Sequence, residues 1–378
     1  MRFLPLVVVL AACASPAAQT PPPAPQSPRE SSITSASPSP SPTRTGPLRT
    51  LTVSGSGDIL IHPSLWGHAQ ADGGAGGPSF VQELAGAQPL IKPADYAVCH
   101  VEQGFNNPAG PVTEYPNYYT HPALATGIAK VGFDTCSTAS NWTFLKGLEG
   151  IGRTNDALRQ AGVSPAGSRA KPRQDLLAVD EVNGIVVAHI SATDPADSPA
   201  VPDAPWAINR ATADGLIDQA VKAREDGAEI VILSLAMGQM GSSAPTAAQR
   251  KTVSRIAKSG AVNFIIGHGS HTIQGAEKID GVWVIWQGNL LTSFFPDQPR
   301  MHEGLVSTVT LAEQPDGGFV ATKARGDIVL SLPQSGRLAV AGHQSCDQVT
   351  AREQEAYAAT AEVMEPAIEQ GFKLTKPC

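Results

Sequence analysis

Residues 262–289 read VNFIIGHGSHTIQGAEKIDGVWVIWQGN, and this stretch contains both patterns on which the fold prediction depends. The apolar run VNFII is followed by a glycine and two histidines, His268 and His271, as expected where a buried strand enters a loop. Two β-rich arms then follow, joined by Asp280 and Gly281, a pair typical of the tight turn of a hairpin. The stretch therefore predicts a strand with polar residues at its end, followed by an antiparallel hairpin.

The same two patterns recur along the rest of the chain. Residues 49–61, 94–102, 132–140 and 228–238 are strand-like runs that end in glycine or polar residues. Helix-like segments lie between them, at residues 121–131, 151–162, 211–227 and 246–260. Several of these segments end in glycine, as helices commonly do. Two more hairpins are predicted at 176–191 and 303–328. We predict an α/β fold in one domain, residues 48–332, with two mixed β-sheets packed face to face and helices outside them.

Composition excludes some classes of function. The chain has 378 residues, of which 42% are hydrophobic and 16% charged, so it has enough apolar material for a large core. Its formal net charge is -7 and it has no run of lysine or arginine, which argues against binding to nucleic acid. The glycine-rich SGSGD, residues 54–58, lacks the dinucleotide fingerprint and the Walker spacing, and no Gly-x-Ser-x-Gly elbow is present.

The N-terminal residues have the plan of an export signal. One arginine precedes an apolar run of about ten residues, which is too short to span a bilayer. The residues before and at Cys13, LAAC, resemble a bacterial lipobox, so we predict a signal peptide over residues 1–13 and a lipid on Cys13. The alternative is an ordinary cleaved signal. Residues 14–47 are rich in proline and serine and predict a disordered linker. The expected location is the extracytoplasmic side of the cell membrane.

Four further cysteines would be exported into an oxidising compartment. Cys346 and Cys378 bracket a helical C-terminal segment, and we expect them to form a disulfide that closes this tail, residues 333–378. Cys99 and Cys136 lie in apolar strand-like runs, and we expect them to be buried free thiols.

Polar residues at the ends of the predicted strands are candidates for a metal site. The carboxyl ends of strands in such folds converge beneath their loops. Carboxylate and amide oxygens together with imidazole nitrogens suit manganese, iron or zinc. For each residue alone, the alternative is a strand-end or helix-capping role. The candidates are Asp58, His100, Glu102, Asn141, His268 and His271.

These residues, in this order, resemble the CapA family of poly-γ-glutamate capsule proteins, whose domain is similar to calcineurin-like metallophosphoesterases. The resemblance covers about residues 51–312. It is carried by four short motifs: a Gly-Asp pair, an acidic residue after the second strand, a Gly-His stretch and a Gly-Asn pair. In this sequence the matching residues are Gly57, Asp58, Glu102, Gly267, His268, His271, Gly288 and Asn289.

The resemblance implies a metallophosphatase-like sandwich with a divalent metal (Mn, Fe or Zn). It implies a role in the synthesis or export of a capsule polymer at the cell envelope. The partners would be an anionic polymer such as poly-γ-glutamate and other capsule-synthesis proteins. The alternative is a non-catalytic protein that binds or assembles an anionic polymer. The implied residues are Asp58, Glu102, Asn141, His268 and His271 as metal ligands, Asn141 and His268 as catalytic candidates, and Gly288 and Asn289 at the substrate.

Two departures from the family pattern put full two-metal chemistry in doubt. Trp142 stands where the family has a histidine taken to protonate the leaving group, and Ala236 stands where it has a histidine of ligand type. Neither side chain can replace an imidazole as a proton donor or metal ligand. His62 and His100 could substitute, although a histidine that faces solvent or a backbone carbonyl is the simpler interpretation of each.

Overall fold

The computed structural model describes residues 47–377 except 111, 114, 197, 199–200, 202, 211, 294–296 and 343–344. The predicted signal peptide, Cys13, nearly all of the linker, and Cys378 lie outside the described residues. Among the helices that are described, none is long and apolar enough to cross a membrane.

The described chain contains strands and helices in alternation, as the sequence predicts. The strands are β1 (Thr50–Ile59), β2 (Tyr96–Val101), β3 (Gly104–Phe105), β4 (Tyr119–Thr120), β5 (Thr135–Ser137), β6 (Ser164–Ala166), β7 (Ala178–Val182), β8 (Ile185–Thr193), β9 (Ile230–Ala236), β10 (Phe264–His268), β11 (Ile273–Ile279), β12 (Val282–Gln287), β13 (Asn289–Leu291), β14 (Glu303–Glu313), β15 (Phe319–Leu332), β16 (Arg337–Val340) and β17 (Lys373–Leu374). The helices are α1 (Pro63–Gly73), α2 (Val81–Leu84), α3 (Gln88–Ile91), α4 (Ala123–Val131), α5 (Gly147–Gln160), α6 (Ala213–Glu225), α7 (Ala247–Lys258) and α8 (Ala351–Glu369).

Two mixed sheets form the centre of the fold. The larger has the order β16-β15-β14-β1-β2-β5-β6, with β13 paired to β1 and β17 to β15, and the smaller has the order β11-β12-β10-β9-β8-β7. Their facing sides form one apolar core, in which Val53 and Val98 of the larger sheet lie in the same cluster as Phe264 and Ile285 of the smaller. The face-to-face packing of two mixed sheets is therefore confirmed.

Helices cover the outer faces of both sheets. Leu124 and Ile128 of α4 belong to a core cluster with residues of the larger sheet, and Leu216 of α6 and Val253 of α7 to one with residues of the smaller. Burying these apolar helix stripes removes their side chains from water at both sheet surfaces, which stabilises the layered arrangement. The α/β fold class is thus confirmed as helix, sheet, sheet and helix layers.

All three predicted hairpins are present. β7 pairs with β8, β11 with β12 and β14 with β15, each antiparallel. In the first two, both turn residues have positive φ, at Asn183 and Gly184 and at Asp280 and Gly281. This left-handed pair is the geometry that Asn-Gly and Asp-Gly favour in two-residue hairpin turns.

The segment after residue 332 adds two strands to the larger sheet. β16 pairs with β15 antiparallel, and β17 pairs with it parallel. Ala356 and Met364 of α8 are fully buried in the core between the sheets. Cys346 is disulfide-bonded, but its expected partner Cys378 lies outside the described residues, so that pairing stays a prediction.

Our expectation of free thiols at Cys99 and Cys136 is wrong, because these residues form a disulfide. They lie on neighbouring parallel strands, β2 and β5, directly opposite each other in the register. Their Cα atoms are 4.5 Å apart, within the range that a disulfide spans. The sequence shows two buried cysteines but not the register that brings them together.

Candidate metal centre

Asp58 lies at the centre of the site, near the end of β1. It pairs with His100 on β2 and with Asn289 on β13, so three parallel strands contribute residues at one level. Gly57, which precedes it, has no room for a side chain, since a Cβ there would lie 2.3 Å from the backbone oxygen of Gly288. The Asp58 backbone N–H donates to that same oxygen at 2.9 Å. Close backbone packing therefore fixes where the Asp58 carboxylate points.

The Asp58 carboxylate is fully buried and is held by the last residue of β10 and the first residue after it. His268 Nδ1 lies 2.9 Å from Oδ1, and the Gly269 backbone N–H donates to Oδ2 at 3.0 Å. Burial favours the neutral acid, but the hydrogen bond from His268 and the nearby imidazoles of His100, His268 and His271 hold the pKa of Asp58 below its usual value. Asp58 is therefore a carboxylate at neutral pH, and His268 must donate to it through Nδ1.

His271 faces both acidic residues. Its backbone has a φ of 57°, a left-handed conformation that is uncommon for residues other than glycine. Nδ1 lies 3.0 Å from Oδ1 of Asn289, and an amide oxygen only accepts, so Nδ1 carries a proton. Nε2 lies 3.6 Å from Oε1 of Glu102. Burial lowers the pKa of His271, but the Glu102 and Asp58 carboxyl groups and the Asn289 hydrogen bond hold it above its usual value.

Glu102 lies just after β2 and is almost completely buried. Burial raises its pKa to about 7, and the Asp58 charge adds to this, while His271 and the neighbouring Trp142 side chain oppose it. Oε2 is buried and has no hydrogen-bond partner among the described residues. A buried carboxylate oxygen without a partner is costly unless a cation or a proton satisfies it.

The structure brings three of the five predicted ligands within reach of one ion. One ligand atom from each of Asp58, Glu102 and His271 lies within 4.8 Å of the other two. Asn141 is half-buried beside them and lines a small cavity of about 30 Å³ together with Glu102. His268 lies behind Asp58, with its Nε2 buried and unpartnered in the described chain.

Gly288 and Asn289 lie behind His271. Asn289 is fully buried, and its Nδ2 donates to the backbone oxygens of His271 at 3.3 Å and Met301 at 2.8 Å. It therefore positions the imidazole. Direct contact of Gly288 or Asn289 with a substrate stays a prediction, because neither is among the described residues that line the cavity in front of the site.

The two substitute histidines are both buried and neutral. His100 stacks on His268 with the ring centroids 4.3 Å apart, and its Nδ1 bonds to the Ser137 hydroxyl at 2.8 Å, so it faces neither solvent nor a backbone carbonyl. His62 is also buried away from solvent, and its Nδ1 lies 3.5 Å from the Thr292 hydroxyl. Burial and neighbouring imidazoles lower the pKa of each to about 3. Neither is a source of protons at neutral pH.

A cavity of about 520 Å³ opens in front of His271. Trp142 and Tyr118 line it on one side and Met237 on another. Sequence reasoning did not identify Asp194, which also lines it, although this residue follows the end of β8 and fits the strand-end rule applied elsewhere. Tyr118 lies outside any strand end, and the sequence offered no signal for it.

The chain was compared with known families, curated proteins and solved structures. No curated protein matches the sequence. The solved structures that superpose on it include a calcineurin-like phosphoesterase, YfkN, from Bacillus subtilis, with a TM-score of 0.49 and 15% identity over 86% of this chain and 99% of that one. A phosphatase from Mycoplasma pneumoniae gives a TM-score of 0.45 and 12% identity over 75% and 94% of the two chains. A 5'-nucleotidase precursor from Thermus thermophilus gives a TM-score of 0.46 and 14% identity over 85% of this chain and 59% of that one.

The family comparison covers more than half of the chain. The family model described as bacterial capsule synthesis protein PGA_cap matches residues 52–293, which run from within β1 to just past β13 and include every candidate residue of the metal centre. The chain therefore belongs to the PGA_cap family of bacterial capsule synthesis proteins.

Proposed function

We propose that this protein acts at the bacterial cell envelope in the synthesis or export of an anionic capsule polymer, and that it holds one divalent ion on Asp58, Glu102 and His271. The observation that carries the metal proposal is the closeness of these three buried side chains, with Oε2 of Glu102 unsatisfied within the described chain. Two carboxylates this close repel each other, and a cation between them would remove that repulsion without protonating either.

The residues present fit such an ion. Two carboxylate oxygens and an imidazole nitrogen, with the Asn141 amide nearby, form a donor set suited to manganese, iron or zinc. A bound ion would supply positive charge that attracts and polarises an anionic group of the polymer. The surrounding side chains keep the ligands in place: His268 orients Asp58, and Asn289 orients His271.

The altered residues favour weak turnover and keep a binding role as a second candidate. Trp142 lines the large cavity beside Asn141, and Ala236 lines the small cavity beside Glu102, where the family pattern has histidines. We expect the purified protein, supplied with Mn²⁺, to hydrolyse bis(p-nitrophenyl) phosphate no faster than Mn²⁺ in buffer, as measured by p-nitrophenol release. If the rate is well above this background and His271→Ala removes it, the expectation is wrong and the protein is an efficient hydrolase.

The proposed location has its own test. If a lipid on Cys13 anchors the protein, Cys13→Ser will release it from the membrane fraction or leave an unprocessed precursor, because the thiol is the attachment point. Fractionation followed by immunoblotting measures this. Ser15→Ala is a control outside the lipobox. Unchanged processing and membrane retention of Cys13→Ser would show that the lipid proposal is wrong.

A further inference from the structure

Three aromatic side chains cluster at the large cavity, and we call Tyr115, Tyr118 and Trp142 the aromatic cluster. The rings of Tyr118 and Trp142 are 4.7 Å apart, and Tyr115 lies 6.4 Å from each of them. Tyr118 and Trp142 line the cavity, and Tyr115 is 71% exposed. An aromatic ring left this exposed beside a cavity offers its face to a ligand.

The charge of the cavity wall limits what that ligand can be. None of the described residues that line the cavity is a lysine or an arginine. Asp194 supplies a carboxyl group, while Leu60, Met237 and Met240 are apolar, and Met240 is 61% exposed. A polymer with a free carboxylate on every small flexible unit needs a cation for each charge it brings into a cleft. This wall provides none beyond the proposed ion.

The indole of Trp142 connects the aromatic cluster to the metal centre. Trp142 follows Asn141, which lines the small cavity together with Glu102, while the Trp142 ring contacts Tyr118 and Tyr115. Since His271 lines the same cavity, a ligand on the aromatic cluster lies next to the proposed ion. The residue that replaces a family histidine thus provides an apolar surface at this point instead of a proton donor.

We propose that the cavity binds an acidic polysaccharide, with a sugar ring packed on Tyr115 and Trp142 and one acidic group directed to the metal centre. The C–H face of a pyranose is apolar and weakly positive, which complements the negative face of an aromatic ring. Pockets of this kind fix a ligand through apolar walls and a few polar groups. This inference rests on the proposed function, and it restricts the class of capsule polymer to one built of sugar rings.

The test compares three trimers by isothermal titration calorimetry on the full chain with saturating Mn²⁺. Glucuronosyl-cellobiose carries three rings and a single carboxylate, cellotriose carries rings alone, and γ-linked tri-glutamate carries carboxylates alone. We expect glucuronosyl-cellobiose to bind tightest and cellotriose more weakly. Tyr115→Ala should weaken both by about tenfold, the loss expected when one exposed ring contact is removed. Val320→Ala, an exposed apolar residue on β15 outside the cavity, should change neither.

The outcomes separate this inference from the proposed function, because Mn²⁺ binding is measured first without any trimer. Normal Mn²⁺ binding together with tightest binding of tri-glutamate, unaffected by Tyr115→Ala, would leave the proposed function standing and overturn the polysaccharide inference. The polysaccharide inference would also be overturned if the wild type and Tyr115→Ala bound glucuronosyl-cellobiose with equal affinity, or if neither sugar bound. If the wild-type protein does not bind Mn²⁺ but the sugars bind in a Tyr115-dependent way, the ring contact is supported and the metal proposal fails.

Discussion

Glu102→Gln is expected to weaken Mn²⁺ binding by about 100-fold or more, measured by isothermal titration calorimetry on protein first stripped with EDTA. Glu102 contributes one of the three ligand groups that lie close together in the described chain, and its Oε2 is a buried oxygen without a hydrogen-bond partner there. An amide keeps the shape of the side chain but removes the negative charge that attracts the ion. Loss of a supporting residue alone typically costs 10- to 100-fold in affinity, so loss of a ligand should cost at least as much.

Glu83→Gln is the matched control for this substitution. Glu83 is also fully buried, and burial raises its pKa to about 7, as it does for Glu102. It lies on α2 and is not part of the group formed by Asp58, Glu102 and His271. Both variants therefore replace a buried carboxyl group with an amide, and only one removes a proposed ligand. Full Mn²⁺ affinity in Glu102→Gln, or equal losses in both variants, would rule out the proposed metal centre.

His271→Ala should weaken Mn²⁺ binding about as much as Glu102→Gln does. His189→Ala should leave Mn²⁺ affinity nearly unchanged. His189 is a buried imidazole on β8, bonded to Thr135 and Ser234, and it is absent from the ligand group. Far-ultraviolet circular dichroism of each variant in EDTA identifies any that do not fold. The comparison separates the loss of a ligand from the general effect of removing a buried histidine.

The fold was predictable because its signals are local. The Asp280-Gly281 pair marks a hairpin turn through backbone preference alone, and the apolar run before His268 marks a buried strand. Short helices such as α2 and α3 were missed, because four residues are too few to show a helical period. The disulfide between Cys99 and Cys136 was missed for a different reason, since it depends on the pairing of β2 with β5 across 37 residues of sequence.

The metal centre was predictable in its members but not in their individual positions. Strand ends and the family resemblance together indicated which side chains would gather. They did not indicate that His271 would face Glu102 while His268 supports Asp58 from behind. That difference arises from the left-handed backbone of His271 and from its bond to Asn289, and both depend on tertiary packing. The place of Trp142 likewise depends on tertiary packing, because its ring contacts Tyr118 on a separate segment of the chain.

The tight packing behind Asp58 predicts a second large effect, from Gly57→Ala. A methyl group there would lie 2.3 Å from the oxygen and 2.8 Å from the carbon of the Gly288 backbone, and 2.9 Å from the Asn289 carbon. These are backbone atoms, so they cannot move aside as a flexible side chain can. Strand β1 and residues 288–289 must separate, which breaks the bond from the Asp58 N–H to Gly288. We expect the free energy of unfolding to fall by roughly 3 kcal/mol or more, as in severe overpacking.

The same displacement should weaken Mn²⁺ binding, because Asn289 holds the His271 ring that faces Glu102. Gly67→Ala is the matched control: Gly67 lies in α1, and a Cβ there meets nothing within 4 Å. Alanine is favoured over glycine in a helix by about 1 kcal/mol, so this variant should unfold at the same or a higher urea concentration. Urea denaturation in EDTA measures the free energy of unfolding of Gly57→Ala and of Gly67→Ala. Equal stability of Gly57→Ala and Gly67→Ala would mean that β1 does not pack against residues 288–289 as closely as described, and the argument that this contact positions Asp58 and His271 would fail with it.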